Sequence, residues 1–183
     1  FLRGDLPKLV RTVLAETGLP ATRLELELTE GILIGNAEEA LKQLLPLREM
    51  GVRLVLDDFG TGYSSLSYLH RFPFDKLKID RSFIQNLTVD ESQRAIVAAI
   101  ISMSKTLRLQ VTAEGVETIE QFELLSSQGC HELQGYLLGR PMPAADALRL
   151  QRRETTHSVE HTQPVLASGL VAPESLIMEA VPT

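Results

Sequence analysis

Five short segments of this chain, residues 23–29, 52–58, 76–80, 110–114 and 131–136, share one pattern: an aliphatic face opposite a largely polar one. Leu24, Leu26 and Leu28 oppose Glu25 and Glu27; Leu54 and Leu56 oppose Arg53, Val55 and Asp57. Leu77 and Ile79 oppose Lys76, Lys78 and Asp80, Val111 and Ala113 oppose Thr112 and Glu114, and Leu133 opposes Glu132 and Gln134. A period of two is the signature of a strand with one face buried.

Stretches of helical period separate these strands. Leu6, Leu9, Val10, Val13 and Leu14 form one apolar stripe between Asp5, an expected N-cap, and a stop at Gly18. Residues 36–50 read as a second helix with Leu41, Leu44 and Leu45 inward, bent by Pro46 and ended by Gly51. Asp90 with Gln93, and Thr118 with Gln121, have the spacing of capping boxes. The first precedes a helix expected to bury Ile96, Val97, Ile100 and Ile101; the second precedes Phe122, Leu124 and Leu125.

Alternating strand and helix implies a parallel sheet, either an open doubly wound one or a closed barrel. Strands buried on both sides of an open sheet read as continuous apolar runs. Strands with a polar face fit a barrel whose interior becomes polar toward the mouth, where charges at strand C-termini point into the site. The bland alternative is five half-exposed strands with solvated charges. A complete (β/α)8 TIM-barrel needs about 250 residues. The expected fold is therefore an incomplete TIM-barrel-like α/β domain over residues 1–153, lacking about the first three strands. Residues 154–183 turn to Ser, Thr, Glu, His, Pro and scattered aliphatics, and read as a disordered tail. His157 and His161 within it are not expected to form a metal site.

A net charge of −6 argues against a nucleic-acid polymer as partner, because such binding relies on a basic surface. It leaves room for a small phosphate-containing ligand if a divalent metal reverses the local field. No apolar run reaches the length of a membrane span. One cysteine, Cys130, precludes an internal disulfide and is compatible with a cytoplasmic location; it reads as a packed residue, and His70 and His131 as structural ones. The chain opens on Phe1, as a trimmed or processed chain would.

The chemistry concentrates at the strand ends. Asp57 and Asp58 lead the run Asp-Asp-Phe-Gly-Thr-Gly-Tyr-Ser-Ser, and adjacent carboxylates can hold one divalent cation or bridge two. Gly60, Thr61 and Gly62 start a loop free to bend around a ligand. Glu27 stands at the equivalent end of the first strand, Lys78 and Asp80 at the third, Glu114 at the fourth and Gln134 at the fifth. Glu27, Asp57, Asp58 and Glu114, with a lysine and an amide at the same mouth, suit metal-assisted phosphoryl chemistry. Sugar hydrolysis needs only a carboxylate pair and would leave the others idle. A kinase reading of Asp58-Phe59-Gly60 lacks a glycine-rich nucleotide loop and a catalytic His-Arg-Asp.

The motifs ELTE, DDFGTGYSSL, KLKIDRSFI, AEGVET and ELQGYLLGRPMP, in that order over roughly residues 1–150, resemble the EAL family of bacterial cyclic-di-GMP phosphodiesterases. The resemblance implies hydrolysis of cyclic-di-GMP to linear pGpG with Mg2+ or Mn2+, two ions in the intact domain. Carried over by motif, Glu27 ligates one metal, Asp57 bridges two and Asp58 ligates the second. Lys78 positions the attacking water, Glu114 binds metal or assists as base, and Gln134 supports the site. Glu30 tethers the loop after Asp58, and Asp80 and Glu117 of the matching motifs are read as supporting residues. A homodimer through that loop, and a preceding sensory or diguanylate cyclase domain, are further expectations of the resemblance.

This sequence departs from the family in one respect. The Glu-Ala-Leu strand and the strand carrying an asparagine ligand are absent, and both belong before Phe1. The first metal keeps only Glu27 and Asp57, so the chain by itself is expected to be weakly active or inactive. Two other readings compete: a degenerate cyclic-di-GMP receptor, which has no chemical need for Asp57, Asp58, Lys78 and Glu114 together, and an interaction module whose binding survives chelation.

Overall fold

The structure is a computed structural model, and it describes residues 4–31, 37–60, 69 and 71–147. Two compact units divide between Leu138 and Gly139. The described part of the second holds one helical turn, over 144–147. The expected domain end at residue 153 and the tail over 154–183 lie outside the described residues, as do His70, His157 and His161.

In the first unit the order is α1 (Leu6–Thr17), β1 (Glu25–Thr29), α2 (Ala37–Glu49), β2 (Arg53–Phe59), β3 (Lys76–Ile79), α3 (Arg81–Ile84), α4 (Glu91–Thr106), β4 (Gln110–Ala113), α5 (Ile119–Ser127) and β5 (Glu132–Leu133). The strands form one parallel sheet in the order β1-β2-β3-β4-β5. A doubly wound sheet reverses its order at a switch point. Here every strand lies beside its sequence neighbour, as in a barrel wall. Among the described residues β1 and β5 are the edges, so five of a barrel's eight strands are seen.

One contact shows how far the wall curls. The Lys76 Nζ lies 2.8 Å from Glu25 Oε2 on β1 and 2.7 Å from Glu132 Oε2 on β5. In a flat sheet these strands would stand about 19 Å apart, four spacings of about 4.8 Å. Only a strongly curved sheet with its polar face inside lets one ammonium reach both. The apolar face turns outward onto the helices, where Leu44 and Leu47 of α2 and Val97, Ile100 and Ile101 of α4 share a core with Leu54, Leu56, Leu77 and Val111.

Local signals set the helix ends. The Asp5 side chain accepts from Lys8 N–H, and Gly18 closes α1 in the left-handed conformation. Thr118 and Gln121 make a reciprocal capping box at α5. Asp90 accepts from Ser92 and Gln93 N–H, but Gln93 Oε1 is buried without a partner among the described residues, so that box is only half made. The 131–136 segment is also shorter than expected. It pairs only over Glu132–Leu133, because Val116 N–H donates to the Gln134 carbonyl and Leu137 N–H to the Val116 carbonyl, which wraps the chain around Val116. Similarly, a 3-10 turn at Ala21–Arg23 occupies the start of the first expected strand.

Four apolar residues expected inside face solvent: Leu9 and Val13 of α1, Leu45 of α2 and Ile96 of α4. Leu6, Val10 and Leu14, spaced four apart, make a ridge narrower than the full stripe, and only that ridge packs. Cys130 meets its expectation. Its Sγ donates to the Val111 and Glu132 carbonyls, and burial pushes the thiol up to about 12. His131 is structural, its Nδ1 accepting from Val111 N–H.

Gly135 is where the turn around Val116 is tightest. A Cβ there would meet the Val116 carbonyl oxygen at 2.1 Å and its nitrogen at 2.3 Å. Gly135→Ala must therefore move backbone, and is expected to cost about 1–3 kcal/mol. Urea unfolding checks this; a variant as stable as the parent would refute the packing described.

Candidate active site

The mouth is built at the C-terminal ends of four neighbouring strands. β1 supplies Glu27, β2 supplies Asp57 and Asp58, β3 supplies Lys78, and Glu114 directly follows β4. Successive residues of a regular strand face opposite ways, so an adjacent aspartate pair would send one carboxylate inward and one outward. The backbone removes that conflict. The β2–β3 register runs Leu56↔Leu77 and then Phe59↔Ile79, so Asp57 and Asp58 together oppose Lys78. This bulge, with Asp58 at φ 55, re-aims the second carboxylate. Asp is among the few side chains that tolerate such a φ. Asp57, Asp58 and Glu114 consequently offer carboxylate oxygens that all lie within 4.8 Å of one another.

Lys78 anchors the group. Its side chain is 2% exposed, and Nζ lies 2.8 Å from Glu27 Oε1, 3.3 Å from Asp57 Oδ1 and 2.5 Å from Glu114 Oε1. Burial alone would make Lys78 give up its proton, but the hydrogen bonds to Glu114 and Glu27 outweigh it and hold the ammonium above its ordinary range. Glu114 is pushed up by burial; Lys78 pulls it back, while Asp57 and Glu27 add to the rise. Asp58 is raised by burial, then by Asp57 and Asp80, against a smaller pull from Lys78. Four carboxylates with one ammonium leave an excess of negative charge.

That excess and the oxygen spacing fit a divalent cation. Hard oxygen ligands about 2.0–2.6 Å from one ion stand at most about 4–5 Å apart, and the three oxygens here, all within 4.8 Å of one another, are close enough to share one.

The remaining expected residues divide. Glu30 Oε1 accepts from Gly60 N–H at 3.3 Å and ties the end of β1 to the loop after β2. Gly60 needs its lack of a side chain, since at φ 97 a Cβ would stand 2.7 Å from the Phe83 ring. Thr61 and Gly62 lie outside the described residues. Gln134 Oε1 is buried and has no hydrogen-bond partner among the described residues. Asp80 caps α3, accepting from Ser82 N–H at 3.0 Å. Burial raises its carboxyl, but the Ser82 and Arg81 contacts outweigh that and hold it below the ordinary range. Glu117 is exposed, and its N–H donates to Gln121 Oε1 at the start of α5.

A second charged layer, Glu25, Lys76, Thr112 and Glu132, was not expected from the sequence. The available signal was opposite charges at the same depth of different strands, each two residues before a mouth residue. No helix among the described residues is long and apolar enough to cross a membrane.

Comparison with known proteins shows the family and the fold. The family model described as EAL domain matches residues 1–141. The chain is 49% identical over 148 residues to the bifunctional diguanylate cyclase/cyclic di-GMP phosphodiesterase MucR of Pseudomonas aeruginosa, covering 81% of this chain and 22% of that protein. The solved MucR phosphodiesterase in complex with c-di-GMP superposes with TM-score 0.75 at 48% identity, over 79% of this chain and 59% of that one. A manganese/c-di-GMP complex of Klebsiella pneumoniae BlrP1 gives TM-score 0.67 at 37% identity, over 71% of this chain and 33% of that one. The chain spans about a fifth of the length of the curated relatives it matches.

Proposed function

We propose that this chain, which belongs to the EAL-domain family, carries the site that hydrolyses one phosphodiester bond of cyclic-di-GMP to give linear pGpG. The observation that carries the reading is the convergence of Asp57, Asp58 and Glu114 oxygens within 4.8 Å, beside the buried ammonium of Lys78. Asp57 and Asp58, with Glu27 and Glu114, would hold Mg2+ or Mn2+, which when bound neutralises phosphate charge and lowers the pKa of water. Two ions would suit the number of carboxylates, and Asp57 would serve as a ligand to both.

The chain's own residues do the rest. Lys78 donates a hydrogen bond to the attacking water and fixes its approach. Glu114, already inclined to hold a proton, takes one from that water as its oxygen bonds to phosphorus. The bond from phosphorus to the 3′ oxygen breaks, and that oxygen takes a proton from solvent to leave as a hydroxyl. Gln134, whose Oε1 is buried with no hydrogen-bond partner among the described residues, would supply an acceptor, and Glu30 steadies the loop after Asp58. The substrate is a bacterial second messenger, which gives the chain a cytoplasmic role. A preceding cyclase or sensory domain, and pairing of two copies through the loop after Asp58, complete the proposal; residues 61–68 of that loop lie outside those described.

Among these residues Glu27 and Asp57 would serve the first ion, and two protein ligands should support slow turnover. Product analysis with cyclic-di-GMP and Mn2+ tests the reading, alongside calorimetric titration of Mn2+ and of the dinucleotide. Slow, chelator-sensitive formation of pGpG is expected. A folded chain that binds neither Mn2+ nor cyclic-di-GMP would sink it.

A further inference from the structure

We infer that Lys76 is a positioning residue for the site: it holds β1 and β5 at the separation that sets the mouth. Its side chain is 2% exposed, and its Nζ lies 2.8 and 3.1 Å from the two Glu25 oxygens and 2.7 Å from Glu132 Oε2. Thr112 Oγ1 donates to Glu132 Oε2 at 2.9 Å, and Arg53 Nη1 lies 3.3 Å from Glu25 Oε1. This layer therefore draws on all five strands.

Its members stand directly below the mouth. Glu25 precedes Glu27, Lys76 precedes Lys78, Thr112 precedes Glu114 and Glu132 precedes Gln134, each by two residues. Residues two apart on a strand share a face and lie about 6.6 Å apart. Ion pairs of Lys78 reach β1, β2 and β4, whereas those of Lys76 reach β1 and β5. The lower lysine thus spans the interior to β5, the strand that leads directly into Gln134.

A buried ion pair is a poor source of net stability, since apolar residues of the same volume often do as well. Its particular capacity is geometric: short contacts to two fixed carboxylates set a distance. Without the ammonium, Glu25 and Glu132 would repel each other and the arc would open. Glu27 and Gln134 would move apart with their strands.

The link to turnover rests on the proposed phosphodiesterase reading; the link to geometry does not. The test is Lys76→Met in the full chain, with circular dichroism to establish folding. The first readout is the 1H–15N signal of the Lys78 ammonium, shielded from exchange in the parent by its three carboxylates. The second is kcat against KM for cyclic-di-GMP at saturating Mn2+. The Lys78 signal should shift or vanish, and kcat should fall about ten- to a hundredfold with KM little changed, as expected for misplacement by about an ångström. An unchanged Lys78 signal in a folded variant overturns the inference, as does an unchanged kcat in an active one.

If Lys76→Met does not fold, the triple substitution Glu25→Gln, Lys76→Met, Glu132→Gln removes the unpaired charge and keeps the shape. Restoration of the parent's Lys78 signal by that triple variant would reduce Lys76 to charge compensation and overturn a positioning role. A folded parent that binds neither Mn2+ nor cyclic-di-GMP, whose Lys78 signal still responds to Lys76→Met, would overturn the phosphodiesterase reading and leave the geometric inference standing.

Discussion

Lys78→Met is expected to lower turnover of cyclic-di-GMP by about two to four orders of magnitude, the range for loss of a group that manages proton and water in the transition state. The same substitution should destabilise the metal-free chain by about 3–5 kcal/mol, the usual cost of removing one partner from a buried ion pair. Water reaches the partners in part, with Glu27, Asp57 and Glu114 side chains 27, 20 and 19% exposed, so the lower end of that range applies. Because the folded protein holds the Lys78 proton more tightly than the unfolded chain does, this contribution is fully present below the ordinary lysine value of 10.5. It is lost only as pH rises through the higher folded value. Urea unfolding under chelator at pH 7 and pH 9 should therefore give the same difference between parent and variant. Added Mn2+ should shrink it, because a bound cation takes over part of the neutralisation. A variant as stable and as active as the parent would remove Lys78 from the site.

The second large effect concerns the ion. Mn2+ at about a hundred times its Kd stabilises a binding fold by about 2.7 kcal/mol. For a chain of this size that amounts to a rise of about 5–10 °C in Tm. Asp57→Ala should abolish the rise together with turnover. The carboxylate removed stands beside both Asp58 and Glu114 and pushes each toward protonation. Its loss should leave the metal-free Tm equal to the parent's or higher, opposite in sign to what an ordinary buried deletion does. Thermal unfolding with and without Mn2+ decides it. A persistent metal-induced shift in Asp57→Ala would place the ion elsewhere.

Much of the site was legible before any coordinates, because its residues sit where a period-two pattern ends. Glu27, Asp57, Lys78 and Glu114 each lie within two residues of the end of a segment whose aliphatic face must turn outward, so their convergence follows once the sheet is a barrel wall. The sequence cannot show how an adjacent Asp57-Asp58 pair serves one site, since a regular strand would send them apart. The bulge against Lys78 and the positive φ of Asp58 settle that. Nor does periodicity say that Gly135 must press on the Val116 backbone, which cuts the fifth strand to Glu132–Leu133.

Caps, turn glycines and the alternation of faces depend on residues within a few positions of each other, and the sequence by itself determined them: Asp5 and Gly18 bound α1, Thr118 and Gln121 open α5, and aliphatic residues line one side of every strand. Contacts between residues far apart in the chain were decided by tertiary structure alone. Lys76 is 51 residues from Glu25 and 56 from Glu132, and it meets both because the sheet curls. Leu9, Val13, Leu45 and Ile96 match their buried neighbours in hydrophobicity but face water, because each helix packs along one ridge. The physical reason is the same in both cases. Local backbone preference fixes which way a side chain leaves its own element, whereas burial and ion pairing depend on which other element arrives opposite it.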